Sequence, residues 1–180
     1  VIEKVTGEKL GTFLRKTFFD PLGMHDTYVY TPQKDAPRQG QSLTYDYRSI
    51  PIADECYDGV TGDKNVYSTP EDLLKWDQAL YNGKLFTNAT LEAAYTPYSN
   101  EHPGIKNYGL GWHLLVYPNH NEVVYHNGWW HGNNSVFYRF IQDTTTLIVL
   151  STRYNRAVYQ VQPIWKILHE APGVADDGED

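Results

Sequence analysis

The stretch Tyr125-His126-Asn127-Gly128-Trp129-Trp130-His131-Gly132 holds the residue types best suited to chemistry at a carbonyl. It lies between two apolar, strand-like runs at 122–125 and 135–141. An imidazole donates a hydrogen bond when neutral and attracts anions when protonated. A glycine two residues on lets a substrate backbone lie against the strand, because no Cβ obstructs it. Trp129 and Trp130 suit a cleft wall or an ordinary core equally well. The rival reading of His126 is a strand-end histidine bonded to backbone. His113, His120, His126 and His131 fall in one region. They lack the His-x-x-x-His or Cys-x-x-Cys spacing that puts ligands on one face, so neither metal nor cofactor is expected.

The elements that must carry these residues read as α+β. Residues 1–5 have the apolar spacing of a helix in progress, closed by Gly7. Leu10, Phe13, Leu14 and Phe18 mark a second helix, which Pro21 is expected to stop. From Thr31 to Asp63 the chain is polar and aperiodic, a length of loop that is usually functional or lid-like. Thr69-Pro70 then opens a helix with Leu73, Leu74, Trp76, Ala79 and Leu80 as its buried stripe. Thr87 caps a shorter helix that Pro97 ends. From Tyr108 the period becomes two. Strands are expected at 108–115, 122–125, 135–141 and 146–151, linked by Pro118-Asn119-His120-Asn121 and by Asp143-Thr144-Thr145. A helix over 158–169 closes the chain, with Val161, Ile164, Trp165 and Leu168 inward. The expectation is an antiparallel sheet of about four strands, with helices before it and one C-terminal helix packed on it. Residues 1–107 form the helical and loop region and 108–170 the sheet and last helix. Residues 171–180 read as a disordered acidic tail.

Composition narrows the function classes. A chain of 180 residues can build a real core, and 41% hydrophobic with 21% charged residues reads as globular. The net charge is −7 and no block of five or six cations occurs, which argues against nucleic acid. No apolar run reaches a membrane span. Cys56 is the sole cysteine, so no intrachain disulfide forms. The first residues already look like the inside of a helix, which reads as a fragment of a longer chain.

Several segments, in order, resemble the serine β-lactamase-like and penicillin-binding-protein superfamily, in its class C and D-alanyl-D-alanine carboxypeptidase/esterase branch. Residues 1–7 resemble the helix after the family's Tyr-x-Asn motif. Phe19-Asp20-Pro21-Leu22-Gly23-Met24-His25-Asp26-Thr27 is similar to its PLGM-x-x-T turn. The run 62–73 resembles GG-x-Y-S-T-x-x-D-L, and Tyr108-Gly109-Leu110-Gly111-Trp112 resembles YGLGW. His126-Asn127-Gly128 stands where the family has Lys-Thr-Gly or His-x-Gly.

The resemblance implies an acyl-serine mechanism on amides, peptides or esters. In it His126 faces the nucleophile, Gly128 lets substrate approach, and the N–H of Trp129 is half of an oxyanion hole. Asn127, Trp130, Asp63 and Lys64 are implied substrate contacts. The ordinary reading of Asp63 and Lys64 is a local ion pair on a solvated turn. The family's Ser-x-x-Lys is absent: the six serines are followed, three on, by Tyr45, Ile52, Glu71, His102, Tyr138 and Tyr154. The expected protein is therefore a C-terminal fragment of such a hydrolase, inactive alone. The alternative is a non-catalytic binding module for peptidoglycan or peptides. An uncovered sheet edge is expected to favour a homodimer. The resemblance also implies a periplasmic or extracellular setting.

Overall fold

The computed structural model describes residues 1–32, 34–83, 85–99, 104–118 and 122–169. The turn residues Asn119, His120 and Asn121, and the acidic tail, lie outside them. Helix α1 (Ile2–Thr6) ends on Gly7 at φ 72°, and α2 (Leu10–Leu14) follows. Neither buries a residue, and Val1, Ile2 and Val5 stay exposed. A wider π turn, Arg15–Phe19, leads straight into α3 (Asp20–Leu22). Pro21 does not stop the helix as expected. It stands at the start of a new helical turn, where its missing N–H costs little, and Gly23 at φ 69° ends the run.

The segments that resemble PLGM-x-x-T and S-T-x-x-D-L meet around one carboxylate. Thr69 caps α4 (Pro70–Tyr81) by accepting from the Asp72 N–H. The Asp72 carboxylate accepts from the Asp26 N–H at 2.9 Å, the Thr27 hydroxyl at 2.9 Å and Lys75 at 2.7 Å. Thr27 also meets Ser68 at 2.8 Å. Burial works to raise the Asp72 pKa, but hydrogen bonds from Lys75, Thr27 and Asp26 hold it below the ordinary value. Beside this node β1 (Tyr28–Val29) pairs antiparallel with β2 (Val66–Tyr67), a small sheet that no periodicity marks. Within α4 the buried side chains include Asp72, Asp77, Ala79 and Leu80, whereas Leu74 is exposed, contrary to expectation. Two buried aspartates displace it because each has a partner to satisfy it. Thr87 caps α5 (Asn88–Tyr95) through the Thr90 N–H.

Among the described residues the main sheet has five antiparallel strands, in the order β3 (Lys106–Tyr108), β4 (His113–Val116), β5 (Glu122–Trp130), β6 (Asn133–Phe140) and β7 (Thr145–Ser151). The expected 108–115 strand is broken at Gly109 to Trp112. Gly111 there takes φ 79°, so the run turns back on itself as a hairpin. Residues directly opposite share a face of the sheet. One face carries Val123, Val136 and Phe140 and is covered by Val161 and by Trp165 of the helix that follows it, α6 (Gln162–His169). Trp165 stacks on Phe140 with centroids 4.0 Å apart. Ile164 is exposed, contrary to expectation, and the Leu168 side chain lies outside the described residues. The opposite face meets α4 and α5. There Arg139, 1% exposed, sits 2.5 Å from the Asp77 carboxylate, donates to the Tyr95 hydroxyl and lies 4.4 Å over the Tyr81 ring.

Candidate active site

The site is built on the part of β5 that outruns its neighbour. Strand β4 pairs only with Glu122 to Tyr125, while β6 pairs with β5 as far as Trp130. His126-Asn127-Gly128 is therefore inside a strand, not at its end, and its outer edge has no strand partner among the described residues. The β5–β6 hairpin closes through the two residues His131-Gly132, with His131 at φ 51°. A two-residue hairpin closes on a hydrogen-bonded pair, here Trp130–Asn133, and the ladder alternates from there. Gly128–Ser135 is thus again hydrogen-bonded, and the Trp129 N–H points away from β6, toward the open edge.

Side chains alternate across the strand. His126, Gly128 and Trp130 share a face with Ser135, and a Cβ on Gly128 would lie 2.3 Å from the Ser135 Oγ. The exposed His126 places Nδ1 2.9 Å from the Asn127 carbonyl oxygen. With the proton on Nδ1 the ring donates there, and its other nitrogen is left as an acceptor. The backbone-bonded histidine and the cleft histidine are one residue. His113 stands beside it, ring centroids 5.3 Å apart. Burial, and then the neighbouring His126, lower the His113 pKa. Asn127 turns to the other face beside Tyr138, whose hydroxyl burial pushes up to about 12. Trp129, 67% exposed, sits by Tyr154 with centroids 5.9 Å apart.

A cleft of about 1000 Å³ opens over this edge. Its lining includes all seven residues singled out from the sequence: Asp63, Lys64, His126, Asn127, Gly128, Trp129 and Trp130. Lys64 pairs with Asp63 at 2.8 Å and places its ammonium 4.3 Å from the Trp130 ring centroid. The local ion pair is real, and it also packs against the cleft wall.

Sequence reasoning missed Asp58. The carboxylate of this buried residue accepts from the Trp130 indole, the Glu55 N–H and, at 3.0 Å, the His131 ring. Burial opposes ionisation, but those donors hold the Asp58 pKa below the ordinary value. The group pins the short 3-10 turn Cys56–Gly59 to the tip of the β5–β6 hairpin, so the long excursion becomes a fixed wall of the cleft. Gly132 makes a second tie, donating its N–H to the Thr44 hydroxyl at 3.0 Å. Asp58 lies in an aperiodic stretch where nothing in the sequence distinguishes it. His131 is half-buried. Among the described residues no group of three His, Cys, Asp or Glu could hold a metal ion. No helix among them is long and apolar enough to cross a membrane.

An antiparallel sheet whose His-x-Gly strand runs past its neighbour into a loop-walled cleft defines a β-lactamase-like fold. The comparisons agree. A family model described as Beta-lactamase matches residues 1–170. The chain belongs to the β-lactamase family. It is 30% identical over 174 residues to penicillin-binding protein 4* of Bacillus subtilis (strain 168), covering 89% of this chain and 38% of that protein. The octameric penicillin-binding protein homologue from Pyrococcus abyssi has a similar structure, with TM-score 0.76 and 21% identity over 93% of this chain and 39% of that one. So does the D-amino acid amidase from Ochrobactrum anthropi SV3, with TM-score 0.69 and 23% identity over 94% of this chain and 57% of that one. The chain spans less than two fifths of the length of the curated relatives it matches.

Proposed function

We propose that the chain supplies the substrate- and oxyanion-binding wall of a serine hydrolase that forms an acyl-serine on amide, peptide or ester substrates. The observation that carries this is the outward-facing Trp129 N–H on an open strand edge, flanked by His126 and Gly128 over the cleft. A donor aimed at a developing oxyanion is typically worth about 2.7–4 kcal/mol of transition-state stabilisation. His126 binds or polarises the substrate carbonyl or carboxylate, and Gly128 leaves room for the substrate backbone. Asn127, Trp130, Asp63 and Lys64 shape the cleft around it. The nucleophile comes from outside these 180 residues, because none of the six serines has a lysine three positions on. The names of the relatives, a penicillin-binding protein and a D-amino acid amidase, support an amide-type substrate. The same reading places the protein in the periplasm or outside the cell.

It also assigns the outer edge of β7. Among the described residues no strand pairs there, and Tyr45 only bridges Arg153 just beyond its end. When these 180 residues are produced alone, that edge pairs with a second copy.

A fluorescent penicillin and a fluorophosphonate probe test the assignment. The 180-residue chain alone should not be labelled, and the full-length protein should be labelled on one serine elsewhere. Labelling of the chain itself overturns the missing-nucleophile reading. A full-length protein that binds peptidoglycan peptides but is never labelled would instead establish a non-catalytic binding module. The absence of Ser-x-x-Lys here keeps that module as the second reading.

A further inference from the structure

We propose that Tyr159 is a positioning residue that orients and polarises the Gly128–Trp129 peptide, an inference that rests on the oxyanion role given to the Trp129 N–H. Tyr159 closes the 3-10 turn Arg156–Tyr159 that follows β7. Its hydroxyl donates to the Gly128 carbonyl oxygen at 2.8 Å. The same hydroxyl accepts from Asn134 Nδ2 at 2.8 Å, and Asn134 Oδ1 accepts from the Asn155 N–H at 2.8 Å. Asn155 is held in turn, its Oδ1 accepting from the Ala157 N–H at 3.0 Å. Asn134 is 1% exposed, so this relay is anchored in the core.

The direction of the relay matters. From Asn155 through Asn134 and Tyr159, each group donates toward the Gly128 oxygen, and hydrogen bonds in such a chain strengthen one another. That oxygen belongs to the same peptide as the Trp129 N–H. Among the described residues no peptide bond is cis, and in a trans, planar peptide the C=O and N–H point opposite ways. Holding the oxygen on the β6 side therefore aims the N–H at the cleft. The carbonyl has two lone pairs, so Tyr159 adds to the ladder bond from Ser135 without replacing it. Loading the oxygen draws electron density from the peptide nitrogen and makes its N–H a better donor. The anchor is needed most at this position, because a glycine offers the least resistance to peptide rotation.

The sequence has no signal for this role. Tyr159 is one of 15 tyrosines and lies 31 residues from Gly128.

The test uses the full-length protein and Tyr159→Phe, which removes only the hydroxyl. Acylation is followed with an ester and its thiono-ester analogue, and the Trp129 amide is followed by NMR with 15N-tryptophan. The expected result is a roughly tenfold fall in kcat at unchanged KM, smaller than the 10²–10³ loss typical of removing a donor outright. The Trp129 amide proton should move upfield while the melting temperature stays near wild type. A kcat within twofold of wild type, an unmoved amide resonance, or a change confined to KM overturns the proposal. Trp129→Pro separates this from the underlying reading, since it deletes the N–H itself. If that variant is inactive and Tyr159→Phe is normal, only the positioning role falls. If Trp129→Pro acylates normally, the oxyanion reading falls as well. Should the proline variant not fold, the wild-type comparison decides: equal rates on ester and thiono-ester would remove the oxyanion reading.

Discussion

Replacing Gly128 with alanine separates what the fold needs there from what the chemistry needs. The added Cβ would lie 2.3 Å from the Ser135 Oγ and 3.7 Å from the Ser135 Cβ. The second distance is ordinary contact; the first is not. The offending atom is the free end of a short side chain, and about 1 Å of movement relieves it, which one χ1 rotation of Ser135 supplies. Gly128 has no positive φ, so alanine meets no backbone strain. Overpacking costs about 1–3 kcal/mol when nothing can move, and removing a glycine from the unfolded chain returns about 0.4–1 kcal/mol. The net change in stability should stay within about 1 kcal/mol. Function should not be spared, because the methyl projects from the His126 face into the cleft. A substrate displaced by about 1 Å loses on the order of 10² in rate. The assay pairs urea denaturation with the acylation rate of the full-length protein. In Gly128→Ala/Ser135→Ala the short contact is gone, so stability should return to that of Ser135→Ala alone and acylation should remain low. Recovery of acylation in the double variant would show that the clash, not cleft occupancy, was the cause.

Asp77→Ala strands the buried Arg139 guanidinium without its carboxylate. Breaking such a pair costs about 3–5 kcal/mol, and at about 2–4 °C per kcal/mol for a chain of this size melting should fall by roughly 6–20 °C; a fall below about 2 °C would show that the pair is dispensable. Asp58 has a pKa lowered in the folded state, so its contribution to stability is present above the ordinary carboxylate value and lost as pH falls through the lower folded value. Melting curves from pH 7 to pH 2.5 should therefore begin to converge for wild type and Asp58→Asn only as pH falls below about 4, and a constant gap across that range would refute the assignment. Sedimentation of the 180-residue chain should show a dimer, and a proline introduced at the exposed Leu150, whose N–H faces away from β6, should reduce it to monomer if the sheet edge is the contact.

How much could be read in advance differs from element to element. The caps Thr69 and Thr87 are local chemistry, a hydroxyl within reach of an N–H three residues on, and both form as the sequence indicates. The 108–115 strand is misjudged for an equally local reason. Tyr108, Leu110, Trp112 and Leu114 alternate well, but Gly109 and Gly111 allow the chain to fold back where alternation alone says continue. Leu74 fails because amphipathic spacing assumes that charges face water, and Asp72 and Asp77 do not. Lys75 is a local partner of Asp72, but the others, Asp26, Thr27 and Arg139, lie 45 to 62 residues away in sequence, beyond the reach of any window.

The sequence by itself determined the α+β class and the family, and it marked His126-Asn127-Gly128-Trp129 as the candidate wall, because these rest on periodicity, capping and ordered short motifs that are local in the chain. It also determined that the nucleophile motif is absent from these residues. Only the tertiary structure decided that β5 outruns β4 and opens an edge, and that Asp58 fastens the long excursion to the hairpin. Only the structure set Tyr159 behind the Trp129 peptide. Those features depend on which distant groups meet when hydrogen bonds and buried charges must all find partners, and that accounting closes only when the whole chain is packed.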